Sequence, residues 1–227
     1  MRLLDIFIFL AITILAVANF FVFAELSIID TRWVRLFGTI LFAVAALFLR
    51  VYRNIFFILI FSLLIFSDLA LLNYEITEFK IFQFLFRGLA YLLIGIEAKK
   101  SIKKYDFSTF QIIILSFVFI INLFLLYMVA ETFHKELNDS LVSALFYFQG
   151  INAIIMLLLG AIYLSDNGSF KSTAFFLMAC GFILTDLAAF AAYHLQFIEI
   201  FVIDRIFYLM ALGGLLKYIS LKDELEF

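Results

Sequence analysis

The chain has no proline, so its turns rest on Gly, Asn, Asp and Ser. Its one cysteine, Cys180, sits in an apolar run, which excludes an intrachain disulfide and a cysteine metal site. The two histidines, His134 and His194, lie far apart, which argues against a His-rich zinc centre. H-E-x-x-H, Walker, G-x-S-x-G and CxxC motifs are all missing. No lysine stands mid-helix near the C-terminus, as a retinal Schiff base would need. No basic cluster with interleaved aromatics suggests nucleic acid. Neither a metal nor a cofactor is expected. Charge is scarce too, at 15% of residues against about 25% in an ordinary soluble domain.

What fills the space is apolar. Hydrophobic residues make up 67% of the 227, and the mean hydropathy is +1.16. A soluble domain of this length cannot hide that surface, whereas a bilayer solvates it. The 33 phenylalanines read as packing and lipid-facing surface. Eight stretches approach the roughly 20 apolar residues that a spanning helix needs. They are 3–24, 33–50, 54–73, 79–98, 107–130, 141–164, 173–193 and 198–218. The expected fold is all-α, a single membrane domain over 1–227 with about eight transmembrane helices. The first apolar run continues through Phe23, too long for a signal-peptide core, so it reads as a retained helix.

The basic residues orient the bundle. With the N-terminus inside, ten fall in inner segments: Arg2, Arg50, Arg53, Lys99, Lys100, Lys103, Lys104, Lys171, Lys217 and Lys222. Four (Arg32, Arg35, Lys80 and Lys135) fall in outer loops. The positive-inside rule then puts both termini in the cytoplasm, with a bacterial inner membrane as the expected location.

The sequence also echoes itself. Ser67-Asp68-Leu69-Ala70 resembles Thr185-Asp186-Leu187-Ala188, Arg87 matches Arg205, and Gly95 matches Gly213, all at an offset of 118. This predicts two parallel four-helix repeats, about 1–104 and 105–227.

Asp68, Arg87, Asp186 and Arg205 fall inside spans, with Asp204 beside the last. An Asp or Arg at a helix centre costs at least about 2.5–3.5 kcal/mol, so such groups face the interior and are paired or functional. Asp68 lies roughly 7–8 Å below the outer end of the third span, and Arg87 roughly 12 Å down the fourth, at 1.5 Å per residue. A guanidinium stem closes that difference. The expectation is two Asp–Arg pairs, Asp68–Arg87 and Asp186–Arg205, one per repeat. Tyr91 and Tyr208 stand four and three residues after their arginines and share a face with them. Glu75, His194, Asn19, Gln149 and Asn152 are further polar candidates. Two readings stand: the pairs pin helical hairpins, or they line a polar cavity between the repeats.

Ser67-Asp68 in the third span, Thr185-Asp186-Leu187-Ala188 in the seventh and Tyr208 in the last resemble the motifs of the YhhN-like family of eight-helix membrane proteins. That family's characterised members are lysoplasmalogenases. Two departures stand out. Ser67 replaces the usual Gly, and Arg87-Gly88-Leu89-Ala90-Tyr91 stands where a His is common. The resemblance implies hydrolysis of the vinyl ether of a lysoplasmalogen or related lysophospholipid. Asp68 and Asp186 would be the catalytic acid and base, in an order left open. Arg87, Arg205, Tyr91, Tyr208 and His194 would bind substrate, with membrane lipids as partners. The competing class is a non-enzymatic lipid or small-molecule transporter or binding protein.

Overall fold

A computed structural model describes residues 3–25, 27–49, 54–102, 108–137, 139–195, 197 and 199–221. The side chains of 133–137 and 194 lie outside that description, so nothing is drawn from His134, Lys135 or His194 beyond their backbone. Arg2, Arg50, Arg53, Lys103, Lys104 and Lys222, all counted in the charge bias, also lie outside it.

Eight helices follow one another: α1 Leu3–Glu25, α2 Ile28–Phe48, α3 Ile55–Leu71, α4 Thr77–Ser101, α5 Thr109–Leu137, α6 Ser140–Asn167, α7 Phe170–His194 and α8 Ile200–Ser220. No strand occurs among the described residues. Polar residues in the loops begin the helices. The side chains of Ser27, Asn54, Asp139 and Ser169 accept backbone N–H bonds at the starts of α2, α3, α6 and α7. Gly168 ends α6 in the left-handed conformation at φ 53°, where a side chain would be strained.

Six helices (α1, α2, α4, α5, α6 and α7) are long and apolar enough to cross a membrane, and the protein is an integral membrane protein. Of the other two, α3 is apolar but has only 17 residues, and α8 carries Asp204, Arg205 and Lys217. Large apolar side chains such as Phe20, Phe21, Phe117 and Phe124 lie on the outside, where acyl chains solvate them.

The closest packing is between α7 and α8, α4 and α6, and α3 and α4. Small residues permit it, as in other membrane bundles. A Cβ on Gly181 would stand 3.0–3.3 Å from the backbone and Cβ of Ala211, and one on Gly88 would run into Phe148 and the Gln149 backbone. The core among α1, α2, α3, α4, α6, α7 and α8 contains Phe42, Phe175, Phe182 and Leu212, all sealed from the surface. Helix α5 stands apart. It packs chiefly on α6, and Ala130 is its one buried residue among those described.

The start of α2 departs from expectation. The polar run from Glu25 to Arg32 reads as a loop reaching residue 32, yet the helix begins at Ile28. Ser27 and Asp30 form a reciprocal capping box that starts it early. Arg32 and Arg35, counted as outer-loop charges, are therefore helical and buried inside the bundle.

Candidate functional site

The capping box fixes the register of α2, so Arg32, Arg35 and Thr39 fall on one face at helical spacing. That face turns inward, and it decides the wiring of the polar centre.

Arg35 sits between two carboxylates. Its Nε donates to Asp68 Oδ1 at 2.9 Å, and its Nη1 reaches Asp204 Oδ1 at 3.2 Å. The Thr39 hydroxyl (2.5 Å) and the Tyr208 hydroxyl (2.7 Å) both donate to Asp68 Oδ2. Asp68, Arg35 and Asp204 have no more than 1% of their side chains exposed. Arg205 contacts its neighbour Asp204.

A second group lies across the Tyr208 ring. Arg87 Nε stands 3.1 Å from Asp186 Oδ1 and donates to the Tyr91 hydroxyl at 2.8 Å. Tyr91 in turn donates to Asp186 Oδ2 at 2.9 Å, and Gln149 Nε2 donates to the same oxygen at 2.9 Å. The Arg35 and Arg87 guanidinium carbons lie 3.8 and 5.2 Å from the Tyr208 ring centroid, so that ring joins the two groups.

The expected pairing is thus corrected. Asp68 pairs with Arg35, Asp186 with Arg87, and Arg205 with Asp204. Depth had matched the partners within each hairpin, but the helix faces matched them across the bundle. Asp68 turns from α3 toward α2, and Arg87 extends from α4 toward α7. Tyr91 does share a face with Arg87, as its spacing predicts. Tyr208, three residues after Arg205, instead serves Asp68 and the other two arginines. Glu75 does not continue the Asp68 face, because α3 ends at Leu71. It lies in the following loop and meets Arg32 at 2.6 Å, while Arg32 also donates to the Tyr193 hydroxyl at 2.9 Å. This Arg32 hydrogen bond holds the Glu75 carboxyl below its ordinary value. Asn19 and Asn152 donate to carbonyls of their own helices.

A cavity of about 130 Å³ opens beside the second group, among α4, α5, α6 and α7. Arg35, Arg87, Asp186, Gln83, Asn122 and Gln149 are in its polar lining, and residues such as Leu126 and Phe146 form its apolar walls. Of the sequence candidates, Asp186, Arg87 and Gln149 line it. Asp68, Arg205, Tyr91 and Tyr208 are not part of the lining. Asp186 keeps 23% of its side chain exposed, whereas Asp68 keeps 1%. Sequence reasoning missed Arg35, Thr39 and Gln83. The Ser27-x-x-Asp30 cap followed by Arg32, Arg35 and Thr39 was the available signal for the first two.

Lining residues with spare hydrogen-bonding capacity are Arg35 Nη2, Arg87 Nη2, Gln83 Oε1 and Gln149 Oε1, all buried and without a partner among the described residues. No group of three or more His, Cys, Asp or Glu suited to a metal occurs among the described residues. Comparison with family models, curated proteins and solved structures finds no match to the chain.

Proposed function

We propose that the protein is a membrane-embedded lipid hydrolase of the lysoplasmalogenase type, acting on a vinyl ether lipid through Asp186. One observation carries this reading. Of the three ion-paired carboxylates in the polar centre, Asp186 alone lines the apolar-walled cavity. Asp68, fully engaged and not part of the lining, acts as a positioning residue for Arg35 and Tyr208.

Vinyl ether hydrolysis begins with a proton added to carbon, which leaves an oxocarbenium ion. Water adds to that cation, and the resulting hemiacetal releases an aldehyde and an alcohol. One carboxyl balances the protons by giving one to carbon and taking one from the attacking water. In the resting site Asp186 is tied to Arg87. A lipid phosphate drawn to Arg87 competes for that guanidinium and frees the carboxyl to carry the proton. Tyr91 and Gln149 hold the carboxyl in place meanwhile.

The two-repeat organisation and the cytoplasmic placement of both termini belong to the same proposal. Neighbour order supports the repeats. Contacts α1–α2, α2–α3 and α3–α4 recur as α5–α6, α6–α7 and α7–α8, and α2–α8 recurs as α6–α4. The exception is α1, which packs on α8, whereas α5 packs chiefly on α6. The cavity lies between α5 and α4, which do not pack closely among the described residues. The corrected start of α2 supports the orientation, since Arg32 and Arg35 are buried in the bundle, which leaves Lys80 at the start of α4 and Lys135 at the end of α5 on the outer side against ten inner bases.

The test is Asp186→Asn in purified protein, assayed on lysoplasmalogen and lysophospholipid panels with folded yield measured alongside. Activity should fall by about 10²–10⁴-fold with folding retained. Full activity in the folded variant removes Asp186 as the acid. Wild-type protein inactive on every lipid, yet still binding one, leaves the transporter or binding-protein reading in its place.

A further inference from the structure

We infer that Arg35 and Arg87 form a headgroup subsite for an acidic amphiphile, whose phosphate or carboxylate oxygens are held by the two guanidiniums that line the cavity. The inference deepens the hydrolase reading and rests on it for the lipid nature of the ligand, but not for any chemistry.

Both guanidiniums line the cavity, and each keeps one terminal nitrogen without a partner among the described residues. Each is at least 97% buried as a side chain, so neither nitrogen is supplied by the surface. Buried N–H groups as a rule have acceptors. A guanidinium leaves its donors idle only at a cost. Moreover, the two cations bear on each other across the Tyr208 ring. Their carboxylates lie on the Nε and Nη1 sides: Asp68 and Asp204 for Arg35, and Asp186 for Arg87. The Nη2 sides remain for something else. An oxygen-rich anion reaching both would offset their mutual repulsion and satisfy donors of the fork geometry that suits phosphate and carboxylate.

The rest of the cavity speaks for a ligand with a tail. Away from the arginines, Asp186 and the glutamines, its walls are mostly Leu, Ile, Val, Phe and Ala, with Tyr74, Tyr193 and Asn122 among them. Its volume of about 130 Å³ admits a headgroup and a few methylenes. The remaining chain must leave the cavity. Gln83 and Gln149 each add an acceptor oxygen, Oε1, able to take hydrogen bonds from hydroxyls next to the acidic group.

The experiment measures binding of dodecyl phosphate, dodecyl maltoside and inorganic phosphate to full-length protein in lipid nanodiscs. None of the three carries a vinyl ether, so the result is independent of turnover. Dodecyl phosphate should bind at least tenfold tighter than either of the others. Arg87→Lys and Arg35→Lys keep the positive charge beside the carboxylates but lose the fork. Each should weaken dodecyl phosphate about tenfold and leave dodecyl maltoside unchanged. Equal affinity for dodecyl maltoside overturns the acidic headgroup. Equal affinity for inorganic phosphate overturns the amphiphile. Unchanged dodecyl phosphate binding in both folded lysine variants overturns the two arginines. If the lysine variants do not fold, dodecyl phosphate labelled for phosphorus-31 NMR decides on wild-type protein: one bound signal, displaced by acidic amphiphiles and not by maltosides, is expected. Its absence refutes the subsite. Binding that passes while wild-type protein turns over none of the lipids sinks the hydrolase assignment alone.

Discussion

Replacing Arg35 by methionine keeps much of the side chain's length and removes its charge. Arg35 is the link between α2, α3 and α8, through Asp68 at 2.9 Å and Asp204 at 3.2 Å. Asp204 retains Arg205 after the change. Asp68 retains only the hydroxyls of Thr39 and Tyr208, so it is the charge left stranded. Breaking a buried pair from one side costs about 3–5 kcal/mol. The cation–π contact with Tyr208 at 3.8 Å adds up to about 2 kcal/mol when desolvated, though the two losses overlap because one group makes both. Against a typical total of about 5–15 kcal/mol, the variant should lose roughly a fifth or more of its stability. Unfolding in mixed micelles, followed by helical circular dichroism, reads this directly. Adding Asp68→Asn removes the stranded charge and should recover a large part of the loss, so the two changes are strongly non-additive. A single variant within about 0.5 kcal/mol of wild type, the range of ordinary surface changes, refutes the reasoning. So does a double variant no more stable than the single.

Three further outcomes are expected. The Arg32–Glu75 bond should contribute little, within about 0–1 kcal/mol, because the Glu75 side chain is 68% exposed. Glu75 has a lowered value when folded, so the contribution is complete above the ordinary value of 4.5 and lost as pH falls through the lowered one. The stability gap between wild type and Glu75→Gln should close on acidification, and a gap that widens instead contradicts the sign. Gly88→Ala drives a methyl into Phe148 and the Gln149 backbone, and should cost about 1–3 kcal/mol in the same unfolding assay; a neutral result shows that α4 and α6 separate freely. Reporter fusions after Lys104 and Lys222 should read cytoplasmic and those near Glu78 and Lys135 external, and the reverse pattern overturns the orientation.

The sequence by itself determined the number of helices and the membrane environment. Both are local properties. An apolar run of about 20 residues in lipid satisfies its backbone only as a helix, whatever its neighbours do. The sequence also marked Asp68, Asp186, Arg87 and Arg205 as interior groups, because the cost of charge in lipid does not depend on the partner's name. Tyr91 was legible for the same reason, four residues from Arg87 on one helix. What joins what was not legible. Spacing along a helix gives a face but not the direction in which the assembled bundle turns it. An arginine stem is long enough to reach carboxylates on more than one neighbour, so depth alone left several partners for each. Helix rotation, fixed by contacts such as Gly88 on α6 and Gly181 on α8, made the choice. Arg35 was hidden by a second cause. The polar residues that begin α2 look like a loop in composition, and only their mutual hydrogen bonds turn them into a helix start. The cavity is tertiary in the strictest sense, because it lies where α5 rests chiefly on α6 among the described residues, a gap between helices that no single helix encodes.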